Sequence, residues 1–222
     1  MKRTVLITGG SRGIGAAIAA DFRRHGHDVR TPTRAELDLA SAEALEDFIR
    51  RDADRPVDIL VNNAGINILS PIETLDAATW QTMLQVNLTS PVRLTQALLP
   101  GMKERQWGRV LNISSIFSLV TREKRAAYSM TKAALNAFTR SLTVEYGPSG
   151  ILANTLCPGY VDSALTRQNN TPPEMEAIRA TIPLRRMAQA EEIARVAYFL
   201  CSEDNTYITG QEIVADGGFL CQ

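Results

Sequence analysis

Residues 5–15 read Val5-Leu6-Ile7-Thr8-Gly9-Gly10-Ser11-Arg12-Gly13-Ile14-Gly15, and Ala16-Ala17-Ile18-Ala19-Ala20 follow. Bulky β-formers, then spaced glycines, then alanines predict a strand, a tight turn and the first turns of a helix. The unpaired amides at a helix start, together with the positive end of its dipole, attract anions, and glycines let a ligand approach the backbone with no Cβ in the way. A pyrophosphate suits such a place. The spacing is G-x-x-x-G-x-G rather than the commoner G-x-G-x-x-G, and the lysine of a P-loop is missing. A turn that merely needs positive φ is the alternative these glycines leave open when taken alone.

Working outward, 222 residues with 45% hydrophobic and 22% charged side chains suit one domain, 1–222, with a large core. Lys+Arg and Asp+Glu each total 24, so no net field favours nucleic acid, and no basic stripe is interleaved with aromatics. Met1-Lys2-Arg3 runs straight into the first strand with no apolar leader and cleavage site. Nor does any stretch reach the roughly 18–20 apolar residues that span a bilayer. The expectation is a cytoplasmic protein with no membrane or nucleic-acid partner. Cys157, Cys201 and Cys221 are scattered and odd in number, which reads as packing residues rather than a disulfide framework or a metal site.

Further along, Val57–Val61, Val110–Ile113 and Ile151–Leu156 are short apolar runs, each after a helix-like segment. That alternation predicts a parallel sheet with helices on both faces. The tail offers a helix over Ala190–Leu200 and a last strand over Glu212–Ala215. Before them, residues 162–187 carry a polar tip, Gln168-Asn169-Asn170, and three prolines, and read as a lid beside the sheet.

Tyr128-Ser129-Met130-Thr131-Lys132 opens an alanine-rich helical run, and a separation of four puts Tyr128 and Lys132 on one face, a turn apart. A tyrosine acting as a base near neutrality needs its pKa of about 10 lowered by roughly two to three units, or about 3–4 kcal/mol, which a nearby ammonium supplies. The pair alone also fits a packed tyrosine and a solvated lysine.

The glycine turn, Asn62-Asn63-Ala64-Gly65 after a strand, Asn87 in a helix, Ser114-Ser115 after another strand, Tyr128 with Lys132, and Pro158-Gly159 stand in the order and spacing of a known family. Over nearly its whole length the chain resembles the short-chain dehydrogenase/reductases. The resemblance implies an α/β, Rossmann-like, doubly wound parallel sheet in a single domain. It implies an oxidoreductase that moves a hydride between NADP(H) and a small carbonyl or alcohol, as a homodimer or homotetramer. It gives Tyr128 the role of general acid or base and Ser115 the substrate oxygen; Lys132 lowers the tyrosine's pKa and binds the nicotinamide ribose, and Asn87 supports a proton relay. Cofactor contacts fall by the same resemblance on Gly9, Ser11, Arg12, Gly13, Ile14, Gly15, Arg34, Asp38, Leu39, Asn63, Ala64, Gly65, Tyr128, Lys132, Pro158, Gly159, Val161 and Ser163. Ile66, Phe117 and Tyr160, with Ser115, line the substrate side. A 3-oxoacyl-carrier-protein reductase is the nearest rival, and a non-catalytic nucleotide sensor of the same fold is the rival from another class.

Several departures from the family pattern carry expectations. Only Arg34, Ala35 and Glu36 separate a strand ending near Thr33 from Leu37-Asp38-Leu39, whereas a parallel crossover needs roughly a dozen residues. The helix between strands 2 and 3 is therefore expected to be missing, and Leu37–Leu39 not to form a full strand. NAD enzymes usually place an acidic residue at the end of the second strand; here Thr33 and Arg34 stand there, and Arg34 with Arg12 is placed to bracket a 2′-phosphate, favouring NADP over NAD. Ser118 replaces a glycine common in the family, and Thr121-Arg122-Glu123-Lys124-Arg125 reads as a solvated rim, with anion binding by Arg122 or Arg125 as the lesser alternative. Pro91 either denies the carbonyl of Asn87 its usual donor or starts a new helix after a break.

Overall fold

In the computed structural model the chain is described over residues 1–221, the side chain of Leu165 excepted, so Gln222 of the expected domain lies outside the description. Six strands, β1 (Thr4–Ile7), β2 (Asp28–Arg30), β3 (Ile59–Asn62), β4 (Gly108–Ile113), β5 (Ile151–Pro158) and β6 (Glu212–Ala215), form one sheet in the order β2-β1-β3-β4-β5-β6. Every pairing is parallel. The helices are α1 (Gly13–Arg24), α2 (Ala42–Asp52), α3 (Ala77–Leu84), α4 (Ser90–Glu104), α5 (Ala126–Tyr146), α6 (Ala164–Gln168), α7 (Pro172–Thr181) and α8 (Ala190–Cys201).

The period-two alternation of the strands divides the core. Val5, Ile7, Ile59, Val61, Leu111 and Leu156 face α1 and α8, meeting Ile18, Phe22, Ile193 and Leu200. Leu6, Leu60, Val110 and Ala153 face the other way, onto Leu45 and Phe48 of α2, Leu94 and Leu99 of α4 and Leu142 of α5. Because helices cover both faces, β3 and β4 are buried at every residue, which is why they read as mainly apolar runs, with Asn62 in β3 and Arg109 and Asn112 in β4 as buried polar exceptions. Each large side chain so buried contributes roughly 1.5–3 kcal/mol.

The region after β2 matches the residue count. No helix forms between residues 33 and 39, and Leu37–Leu39 is not a strand. Thr33 and Glu36 close a single turn on themselves, with Leu37 N donating to the Thr33 carbonyl, and Leu37 and Leu39 drop into the core beside α2. The strand itself stops at Arg30 rather than near Thr33, since Pro32 has no amide to offer a ladder. α2 begins only at Ala42, with Ser41 capping it, and carries the chain across to β3. The direction of winding therefore reverses between β1 and β3, and the crevice at their carboxyl ends is where open α/β sheets bind ligands.

Candidate active site

The turn after β1 and the turn after β3 are sewn together across that crevice. The Thr8 hydroxyl accepts from the amides of Asn63 and Ala64, each at 3.1 Å, and the Asn63 side-chain amide donates to the carbonyls of Thr8 (2.9 Å) and Gly9 (3.1 Å). Gly15 is held by this packing: a Cβ there would lie 2.3 Å from the Gly9 carbonyl oxygen and 2.4 Å from Asn63 Nδ2. Gly13, at φ 55°, faces open space instead. No side chain caps α1, whose Ncap residue Arg12 is extended and exposed beside exposed Ser11. The amides of Gly13, Ile14 and Gly15 thus remain as donors over an unfilled glycine surface, and this fits a dinucleotide's pyrophosphate.

Toward the middle of the sheet, four side chains converge. Asn87 lies in a π-helical turn, Gln85–Thr89, between α3 and α4. Its side chain is fully buried; it donates to the Ile66 carbonyl (2.9 Å) and to Thr131 Oγ1 (3.2 Å), and accepts from the Ile66 amide (2.9 Å). Pro91 falls in the first turn of α4, but the chain stays helical from α3 through the widened turn with no break, so Pro91 does not start a new helix; it simply has no N–H to donate to the Asn87 carbonyl. Lys132 and Tyr128 stand on the inner face of α5. The Lys132 ammonium donates to the Ile113 carbonyl at 2.8 Å, and a Cβ on Gly65 would sit 3.4 Å from both Lys132 Nζ and Asn87 Oδ1. Glycine at 65 leaves that space free.

Ser115 begins a 3-10 turn, Ile116–Ser118, its hydroxyl accepting from the Phe117 amide at 3.1 Å. It also reaches Tyr128. Burial pushes the Tyr128 hydroxyl above the usual tyrosine value, while the Ser115 hydrogen bond and the charge of Arg125 pull it back down. The charge of Arg125 therefore bears on Tyr128, while Lys132 Nζ, 5.7 Å from the ring centroid, donates a hydrogen bond to the Ile113 carbonyl. Burial also lowers Lys132 from 10.5 to about 8. Ser114 has a supporting role, donating to the Lys132 carbonyl.

Phe117, Tyr128 and Tyr160 meet edge to face, with Phe117 centroids 6.4 Å and 6.1 Å from the other two. Met175, Ile178, Ile182 and Met187 from the 162–187 segment close over them, and Asn169 at its tip reaches the Asn67 carbonyl. Ile66, half-buried, packs instead against the core cluster of Leu60 and Leu94, so it is not brought into this group. Pro158 ends β5, and Gly159 passes so close to Asp216 that a Cβ would lie 2.7 Å from its Cα. Val161 is buried in a bridge to Ala188, and Ser163 caps α6. On the adenine side, Leu39 is buried and Asp38 accepts from Ala40 N, while exposed Arg34 lies on Asp38 at 3.4 Å rather than reaching toward Arg12.

Two expectations need correcting. The run from Thr121 to Arg125 is not wholly a solvated rim, because Arg125 is only 6% exposed, stacked 4.7 Å over the Phe117 ring, and Arg122 donates to the Tyr160 hydroxyl at 2.8 Å. The start of α5 at Ala126 turns residue 125 inward. Cys157 and Cys201 pack in the interior, but Cys221 is exposed near the chain end.

Other contributors escaped the sequence. Thr131, next to Lys132, orients Asn87, and Ser118 donates to the Ser115 carbonyl (2.6 Å) while accepting from Asn136 (3.0 Å). Their only signal was position: Thr131 one residue from the lysine, Ser118 where the family carries glycine.

Comparison with known proteins agrees with this fold. Residues 30–220 match the family described as enoyl-(acyl carrier protein) reductase. An acetoacetyl-CoA reductase of Shinella zoogloeoides is 36% identical over 237 residues, covering 98% of each chain. Among solved structures, the TT0495 protein of Thermus thermophilus superposes with a TM-score of 0.93 at 37% identity, covering 100% of both chains. A gluconate 5-dehydrogenase of Burkholderia cenocepacia, in complex with NADP and tartrate, gives 0.89 at 28% identity, covering 100% of this chain and 97% of its own. Among the described residues no helix is long and apolar enough to cross a membrane.

Proposed function

The chain belongs to the short-chain dehydrogenase/reductase family, and from that premise we propose that it interconverts a small carbonyl compound and its alcohol with NADP(H), Tyr128 handling the proton. The observation that carries this reading is the convergence of buried Tyr128, Ser115, Lys132 and Asn87 at the carboxyl ends of β3 and β4, beside an uncapped glycine turn. When bound, the cofactor supplies or accepts the hydride. Ser115 and Tyr128 hold the substrate oxygen, Tyr128 gives or takes its proton, and Lys132 and Asn87 with Thr131 form the polar floor through which that proton is replenished. The NADP bound by the Burkholderia relative, and the lack of an acidic residue from Arg30, where β2 ends, through Arg34, support NADP over NAD.

Residues 162–187 act in this reading as a lid, their apolar side chains covering the Tyr128 ring. A homodimer or homotetramer in the cytoplasm is part of this reading, as the family membership suggests. The Shinella relative favours a second reading, reduction of a 3-oxoacyl thioester. One experiment separates them: NADPH oxidation against a panel of ketones, aldehydes, oxo acids and short 3-oxoacyl thioesters. Turnover of any carbonyl supports the enzyme, turnover confined to thioesters selects the second reading, and tight NADPH binding with no turnover leaves a nucleotide sensor.

A further inference from the structure

Two arginines are buried, and the fold treats them differently. Arg109 spends its guanidinium on the carbonyls of Gly108, Gly150 and Asn205. The Arg125 guanidinium has no hydrogen-bond or ion-pair partner among the described residues, only the face of Phe117 beneath it. The groups whose charge bears on it are Tyr160, Arg122 and Tyr128, none of them a carboxylate. Of the nearby acids, Glu123 is exposed and forms no ion pair among the described residues, while the charge of Glu174 bears on Arg122 and Lys124 and its oxygen holds the amide and hydroxyl of Thr171 at the start of α7. Its nitrogens are not among the sealed, unpartnered polar atoms, so what the pocket lacks beside the Arg125 guanidinium is a counter-ion, and an anion that arrives gains a charge-assisted contact.

The place it occupies belongs to the reaction. Phe117 is two residues from Ser115 and packs on both Tyr128 and Tyr160. Tyr160 accepts a hydrogen bond from Arg122 and so keeps its own proton for another acceptor. A planar guanidinium beside that hydroxyl suits a carboxylate, which it grips through two parallel hydrogen bonds. Resting on the oxidoreductase reading above, we propose that Arg125 is the anion-recognising residue of the substrate pocket and that the preferred substrate is an oxo acid, or the matching hydroxy acid. Its carboxylate lies on Arg125 while its reacting oxygen lies between Ser115 and Tyr128. Carrier thioesters put their charges at the far end of a long arm and leave Arg125 unmatched.

The test measures kcat/KM with NADPH for oxo acids of increasing chain length and for their methyl esters, in the wild type and in Arg125→Gln and Arg125→Lys. The acid-to-ester ratio is the readout, because it cancels any effect of Arg125 on the pKa of Tyr128. The wild type should favour the acid of best length by about 100-fold, the worth of a charge-assisted hydrogen-bonded contact. Arg125→Gln should bring that ratio close to one, and Arg125→Lys should keep part of it. NADPH binding, followed by cofactor fluorescence, reports that the variants are folded. Should they not fold, the wild-type ratio and its decline with added salt decide the matter alone. A wild type that reduces esters as well as acids, or a ratio unmoved in Arg125→Gln, overturns the assignment while leaving the enzyme reading intact. No turnover of any carbonyl overturns the enzyme reading itself.

Discussion

Replacing Lys132 by Met separates the energetic cost of the site from its use. The ammonium is 3% exposed, and burial brings it from 10.5 to about 8. A difference of that size is about 3 kcal/mol of preference for the neutral form. Below pH 8 both folded and unfolded chains hold the proton, and the folded state carries the whole penalty. Between pH 8 and 10.5 the folded chain sheds the proton while the unfolded chain keeps it, so stability rises with pH. From pH 7 to 9.5 the gain is about 2 kcal/mol. Lys132→Met removes the titration and leaves the Ile113 carbonyl without its donor, a loss that does not vary with pH. Urea unfolding of both proteins across that range, below the raised titration of Tyr128, should show the wild type improving on the variant by about 2 kcal/mol. A gap that stays constant within about 0.5 kcal/mol would refute the buried, strained ammonium.

Tyr128→Phe keeps the ring against Phe117 and should retain NADPH binding while kcat falls about 100-fold or more; near-wild-type turnover would remove Tyr128 from the chemistry. Catalytic efficiency with NADPH should exceed that with NADH by about tenfold or more, a difference of about 1.4 kcal/mol, and equal values would end the 2′-phosphate argument. Gly15→Ala forces a Cβ onto the Gly9 carbonyl and Asn63, so it should cost about 1–3 kcal/mol of stability and weaken NADPH binding; unchanged titrations would mean the turn yields freely. Hydrogen exchange across residues 162–187 should slow when NADPH and an unreactive substrate analogue bind together, and identical exchange would rule out a lid.

What the sequence displayed and what it hid differ in physical kind. β3 and β4 were legible because strands covered on both faces are mainly apolar, and Tyr128 with Lys132 because a spacing of four is a property of any helix. The lack of a helix between residues 33 and 39 was legible from chain length alone, since three residues cannot span a parallel crossover. Arg125 was hidden: within Thr121–Arg125 nothing local distinguishes the one side chain that turns inward, and the choice is made by the start of α5 and by the Phe117 ring, which arrives from another part of the chain. The strand end near Thr33 was misjudged because Thr31 and Thr33 have β propensity, while pairing with β1 stops at Arg30. The π-helical turn around Asn87 left only Pro91 as its mark.

The shortened connection after β2 bears on solubility. Among the described residues no strand pairs with the outer side of β2, so its free amides and carbonyls form an edge on which another chain's strand can add, the usual route from a native sheet to an aggregate. Here the edge is only Asp28, Val29 and Arg30. One residue is apolar, Arg30 is tied back by its ion pair with Asp52, and Pro32 ends the ladder just beyond. A chain that gives up an outer strand thereby avoids the hazard of a bare one, because what remains is too short and too charged to template a partner.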